Sequence, residues 1–142
     1  MAELLRTHAL ESRVDALAAA GVTVDPYLPM ANVRGAQAPD AGIRLGPDEW
    51  LVLGDAGPSA TDVSAQRITL YLTGDHARDV LAKGCAIDLH PVAFPVGSSV
   101  QTLLAQAVVI LTALDDGYRI IVRSSFAGYL ADWLLDATIE FR

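Results

Sequence analysis

Three histidines, one cysteine, one lysine, the paired carboxylates Asp115 and Asp116, and Asp88 near His90 are the side chains of this sequence best suited to moving protons, attacking a carbonyl or holding a metal. His8, His76 and His90 lie on different expected elements with no CxxC or HExxH spacing beside them, whereas a metal site needs several converging ligands. Cys85 follows Gly84 at the end of a helix-compatible stretch, where the negative end of the helix dipole disfavours a thiolate; no G-x-S-x-G elbow offers another nucleophile. A buried structural thiol is the expectation. Lys83 is the only lysine, and Asp79 four residues earlier predicts a solvated i,i+4 ion pair rather than a Schiff-base amine.

Asp115 and Asp116 could divide acid and base roles, but Gly117 after them, between two apolar runs, predicts a hairpin turn. Asp88 and His90 flank Leu89 ahead of Pro91, which predicts a turn or cap. Gly54-Asp55-Ala56-Gly57 has the glycines of a phosphate loop, yet Pro58 and the polar residues after it stand where the anion-holding helix should begin. These readings assign no catalytic, cofactor-binding or metal-binding residue to the chain.

The elements that would position such groups are legible in the periodicities. A helix is predicted within residues 3–20, with Ser12 as its cap, Val14, Leu17 and Ala18 on one face, and Gly21 as its stop. Residues 22–45 contain Pro26, Pro29, Pro39, Gly35 and Gly42, and predict irregular extended pieces. Gly46-Pro47-Asp48-Glu49 is a turn signal leading into a buried strand at Trp50-Leu51-Val52-Leu53, and Gly57-Pro58-Ser59 marks a surface loop. Ile68, Leu70 and Leu72 alternate with Thr69, Tyr71 and Thr73, the period of a strand with one face on a core. Asp75 is placed to cap a helix carrying Ala77, Val80 and Leu81, stopped at Gly84. Residues 100–105, 107–114 and 118–122 read as strands. Ser124 or Ser125 then caps an amphipathic helix with Phe126, Tyr129, Leu130, Trp133, Leu134 and Ala137 on its apolar face.

This order predicts a single α+β domain over residues 1–142: an N-terminal helix and irregular segment at 1–42, and a compact core at 43–142. A ferredoxin-like core fits best, a mostly antiparallel sheet with two helices on one face. The formal charge of −7 disfavours nucleic acid, since the nine arginines are scattered rather than gathered into a stripe. No apolar run approaches the roughly 20 residues of a membrane-spanning helix, and Glu3, Arg6, Glu11 and Arg13 stand where a signal peptide would need an apolar core. A cytoplasmic location follows as an expectation, in keeping with the lone cysteine. An apolar content of 52% in a small chain points to a face covered by a partner, although alanine supplies part of it.

Longer strings carry a resemblance. Leu45-Gly46-Pro47-Asp48-Glu49-Trp50-Leu51 is followed by Asp62-Val63-Ser64 with Arg67, then by Ala77-Arg78-Asp79-Val80-Leu81-Ala82-Lys83-Gly84-Cys85, Ile87-Asp88-Leu89-His90-Pro91, Phe94-Pro95, Gly97 and Gln101-Thr102-Leu103-Leu104. With Asn32-Val33-Arg34-Gly35, this run resembles the gamma subunit of heterotetrameric sarcosine oxidase over residues 30–135. The resemblance extends more distantly to aminomethyltransferases, whose folate-binding domain supplies the expected fold and whose wider pattern is similar to Asp62-x-Ser64 with Gly74.

The resemblance implies a non-catalytic accessory subunit that stabilises a flavin-dependent complex oxidising the N-methyl group of sarcosine or a related amine, with the one-carbon unit passed to tetrahydrofolate. It implies alpha, beta and delta subunits as partners, carrying NAD and a folate-binding domain, FAD and covalent FMN, and zinc respectively, and no cofactor in this chain. The acidic pair that aminomethyltransferases use for the pterin would fall near Ala107 and Val108, and no Asp or Glu occurs between Asp88 and Asp115. The alternative implied function is an independent folate-binding or one-carbon transfer protein that lost this acid. Only nine residues separate Gly35 from Leu45, where the resemblance implies a longer, partly helical insertion.

Overall fold

The computed structural model describes residues 8–54, 57 and 60–142. A single 3-10 turn at Glu11–Arg13 leads into α1 (Val14–Ala19), then β1 (Val22–Asp25), β2 (Met30–Arg34), β3 (Ile43–Gly46), β4 (Glu49–Leu53) and β5 (Thr61–Asp62). β6 (Arg67–Thr73), α2 (Ala77–Ala82), β7 (Ser99–Leu104), β8 (Ala107–Leu114), β9 (Gly117–Arg123) and α3 (Ser124–Ala137) follow, with a last 3-10 turn at Ile139–Phe141. The strands form two antiparallel sheets: an inner one ordered β1-β6-β9-β8-β7 and an outer one ordered β3-β4-β2-β5.

Alternation decides the layers. Along β6, β8 and β9, Ile68, Leu70, Leu72, Val109, Leu111, Ala113, Tyr118, Ile120 and Val122 point one way and join α1, α2 and α3 in the main core. Ile110 and Ile121, on the opposite face of the inner sheet, pack with Met30, Ile43, Leu51 and Val63 of the outer layer. Helices therefore cover one face of the inner sheet and the second sheet covers the other. Five consecutive buried residues in β8, Val109 to Ala113, follow from this two-sided covering.

The α+β class stands, but its layout departs from the sequence expectation in several places. The inner sheet has five strands rather than a four-stranded ferredoxin-like set, and three helices, not two, line its face. The short extended pieces expected in residues 22–45 are there as β1, β2 and β3, but they are paired strands of two sheets rather than an irregular segment, with Pro26 and Pro29 between β1 and β2, and Gly35, Pro39 and Gly42 between β2 and β3. The strand at Trp50–Leu53 belongs to the outer sheet, and Trp50 is only half-buried, its Nε1 donating to the Gly35 carbonyl at 3.0 Å.

Helix ends and faces also differ. α1 follows Arg13, α2 follows His76 and α3 follows Arg123, none with a side-chain cap, so Ser12, Asp75, Ser124 and Ser125 do not cap as expected. The buried stripe of α3 is Ala127, Leu130, Ala131, Leu134 and Ala137. Small alanines let α3 lie close to the sheet, and this turns Phe126 and Tyr129 outward, 48% and 43% exposed. In α1 only Leu17 of the expected face is buried. The expected helix start at residues 3–7, and Asp55, Ala56, Pro58 and Ser59 of the loop readings, lie outside the described residues.

Candidate functional site

Asp62 and Ser64 lie where β5 leaves the outer sheet. Ser64 N–H donates to Asp62 Oδ1 at 2.9 Å, and Ser64 Oγ lies 2.6 Å from the same oxygen while accepting the Met30 N–H at 2.8 Å. A hydroxyl has one proton, and the short contact assigns it to the carboxylate; the Met30 carbonyl, 3.2 Å away, is served instead by Val63 N–H at 3.0 Å. The pair closes a turn and pins it to the first residue of β2. The side-chain bond from Ser64, then its backbone bond, hold the Asp62 carboxyl below its ordinary value. A depressed carboxyl contributes stability above its unfolded value of about 3.9 and loses that contribution as pH falls through the folded one. Ser64→Ala is therefore expected to raise the Asp62 value towards the ordinary range, read by NMR titration of its side-chain carboxyl resonance.

Lys83, Gly84 and Cys85 join α2 to the C-terminal segment. Lys83 Nζ donates to the Ala137 carbonyl at 2.8 Å and to Glu140, and lies 5.0 Å from the centre of the Phe141 ring. This corrects the expected pair with Asp79, which instead lies 3.7 Å from His76 Nδ1. A lysine at the C-terminus of α3 meets unsatisfied carbonyls and the negative dipole end, a stronger demand than an exposed partner on its own helix. Gly84 lies against the Trp133 indole, and Cys85, half-buried, bridges Leu104 of β7 and packs on the main core.

The remaining residues with chemical potential are held in local bonds. Asp88 Oδ1 accepts the His90 N–H at 3.0 Å, and His90 Nδ1 accepts the Val92 N–H at 3.1 Å, two successive turns that bury Leu89 and Phe94. Asp115 and Asp116 are the two-residue loop closed by the Leu114–Gly117 pairing of β8 and β9. His8 Nδ1 accepts the Leu10 N–H at 3.2 Å, and the His76 ring stacks on Phe141 with centroids 4.4 Å apart. The three histidines thus serve three separate networks, and no group of three His, Cys, Asp or Glu side chains placed to hold a metal occurs among the described residues. Ala107, at the position compared with the aminomethyltransferase acid, is fully buried in the main core.

Sequence reasoning passed over the arginines. Arg67 and Arg123 are paired residues on β6 and β9, so register alone brings two like charges side by side. Arg119, half-buried between the sheets, donates to Thr112 Oγ1 at 3.2 Å, and Thr112 Oγ1 shares a 2.7 Å hydrogen bond with Ser99 Oγ. Arg13 forms a two-bond pair with Asp132 at 2.8 and 3.2 Å, tying the start of α1 to α3 and holding the Asp132 carboxyl low, chiefly through the side-chain hydrogen bond. Spacing gives no hint of the Arg67–Arg123 and Arg13–Asp132 pairs, whose members lie far apart in sequence, whereas Arg119 and Thr112 face each other across the predicted hairpin.

Together these features define a three-layered α+β protein whose motif residues bind its own elements to one another, with fasteners at the outer sheet, at α2 and at the loop before β7. Residues 53–140 match the model of the sarcosine oxidase, gamma subunit family. The chain belongs to that family. It is 34% identical over 128 residues to the sarcosine oxidase subunit gamma of Corynebacterium sp. (strain U-96) and 37% identical over 125 residues to that of Corynebacterium sp. (strain P-1), matches that cover 79% and 77% of this chain. The chain spans 62% of the length of each of these relatives. A chain in the solved heterotetrameric sarcosine oxidase from Corynebacterium sp. U-96, in complex with pyrrole 2-carboxylate, superposes with a TM-score of 0.85 at 26% identity, covering 97% of both chains. No helix among the described residues is long and apolar enough to cross a membrane.

Proposed function

We propose that this chain is a non-catalytic accessory subunit of a flavin-dependent, sarcosine oxidase-like complex, folding against alpha, beta and delta subunits and stabilising their assembly. The observation that carries this reading is the superposition over 97% of both chains on a subunit of a heterotetrameric sarcosine oxidase. In this reading the partners carry the FAD, FMN, NAD, tetrahydrofolate and zinc, act in the cytoplasm on sarcosine or a related N-methyl amine, and send the one-carbon unit to tetrahydrofolate. The apolar residues left outside support an interface role: Phe126 and Tyr129 on α3, and Leu103 and Val108 facing each other across β7 and β8, are 43–54% exposed.

Co-expression with the large flavoprotein subunits, followed by size-exclusion chromatography, tests the proposal. The expected result is co-elution with a flavin-bearing complex that loses stability when this chain is omitted, since a partner that binds only the folded assembly stabilises it. Cys85→Ser or His90→Ala should leave kcat per intact complex almost unchanged. A loss of about 100-fold in kcat with normal assembly is what removal of a catalytic group produces and would overturn the reading, as would micromolar tetrahydrofolate binding by the isolated chain.

A further inference from the structure

Two arginines stand side by side on the inner sheet with no ion-pair partner among the described residues. Arg67 and Arg123 are directly paired across β6 and β9 on the face turned away from the helices, an arrangement that costs stability unless an anion lies between or beside them. Among the described residues no carboxylate lies within 4.0 Å of either group: the ion pairs there are Arg13–Asp132, Arg34 with Asp48 and Glu49, His76–Asp79 and Lys83–Glu140. Glu49 is close enough to act on Arg67 through space, but one of its oxygens accepts Asn32 Nδ2 at 2.8 Å and the other lies 3.6 Å from Arg34. Asp62 is held by Ser64.

Beside Arg67 lie one carboxylate, Asp62, already bonded to Ser64, and the uncapped start of a helix. A groove of about 550 Å³ beside Arg67 is lined by Asp62, Ser64, Ile68, Tyr27 and Ser124. Ser124 is the first residue of α3, a 14-residue helix whose start has no side-chain cap, so its positive dipole end begins one residue after Arg123. Burial first, then the charge of Arg123, holds the Arg67 guanidinium below its ordinary value, and Glu49 offsets this in part. Two planar forks can receive a carboxylate through paired N–H···O bonds, which a lysine pair would not provide.

We propose that Arg67 and Arg123 form a carboxylate-binding site that receives an acidic side chain of a partner subunit. The site rests on the accessory-subunit reading and adds a specific polar contact to it. It also gives a net-negative chain a cationic point at which an acidic partner is steered into register.

Arg67→Gln and Arg123→Gln, singly and together, separate the possibilities when the thermal midpoint of the full chain is measured beside its affinity for the large subunits at low and at physiological ionic strength. The expected result is an unchanged or raised midpoint in every variant, with the double variant binding the subunits about tenfold or more weakly and losing most of the salt dependence. A fall in midpoint together with the weaker binding would show that the arginines support the fold, and would overturn the proposal. Unchanged affinity would overturn it as well; in that case stabilisation of the wild-type chain, but not the variants, by added acetate would identify a small-carboxylate site instead. Failure of the wild-type chain to bind the large subunits at all would instead sink the accessory-subunit reading on which the site rests.

Discussion

Gly117→Ala is expected to destabilise the isolated chain by on the order of 3 kcal/mol or more, and to leave it largely unfolded if it is of ordinary marginal stability. Gly117 opens β9 opposite Thr73 of β6, and a Cβ built there would lie 2.0 Å from the Leu72 carbonyl oxygen and 2.9 Å from Thr73 Cα. These are backbone atoms of a central strand with a helix layer on one side, so they cannot swing aside as a side-chain tip would. Relief requires β6 and β9 to separate at the end where the Asp115-Asp116 hairpin closes. Gly46→Ala is the control. Its added carbon would meet only Glu49 Cβ at an ordinary 3.8 Å, and the change should stay within about 0.5 kcal/mol. Chemical denaturation of the two variants gives the comparison directly.

The second large effect is expected at Gly84. A Cβ here would stand 2.6 Å from Trp133 Cζ2 and 3.0 Å from the Ala105 backbone nitrogen, so Gly84→Ala must push the indole, and α3 with it, away from α2; the expected cost is about 1–3 kcal/mol. Because most of the clash is with a side chain, Trp133→Leu should recover part of the loss in the double variant, giving a coupling energy of about 0.5 kcal/mol or more. Simple additivity in that cycle would mean that the Ala105 backbone contact dominates. The same displacement would strain the Lys83 bond to the Ala137 carbonyl, which crosses the same seam.

Elements governed by local rules were legible before the structure. The alternation of Ile68, Leu70 and Leu72, the turn at Asp115-Asp116 and the helix beginning near Ser124 each depend on neighbours within a few residues, and each stands where the pattern places it. What periodicity did not convey was which layer a strand joins. β1 pairs with β6 across some 40 residues of intervening chain, and β4 pairs with β2 and β3 to make a second sheet; neither pairing leaves a mark in the residues between. One signal was available: the unbroken run Val108-Val109-Ile110-Leu111 has too little polar alternation for a sheet wetted on one face.

The motif strings were legible as a family and opaque as chemistry. Leu81-Ala82-Lys83-Gly84-Cys85 invites a search for an active amine or thiol, yet the lysine serves a helix end and the glycine makes room for an indole. The amphipathic face of α3 was misjudged by one position, since large aromatics at 126 and 129 outweigh alanines in any hydropathy pattern although close packing selects the alanines. Arg67 and Arg123 carried no sequence signal because their proximity is a property of register alone.

Among the described residues the two cores flanking the inner sheet are unequal, 24 buried residues on the helix side against six beneath the outer sheet. Local opening free energies follow buried apolar contact, so the molecule has two grades of native-state protection. Hydrogen exchange is expected to show amides of β6, β8 and β9 opening only with global unfolding and those of the outer sheet opening earlier, as one cooperative unit. The layer that carries the Asp62–Ser64 fastener is then the less deeply anchored one, and the helix-backed layer is the frame on which it rests.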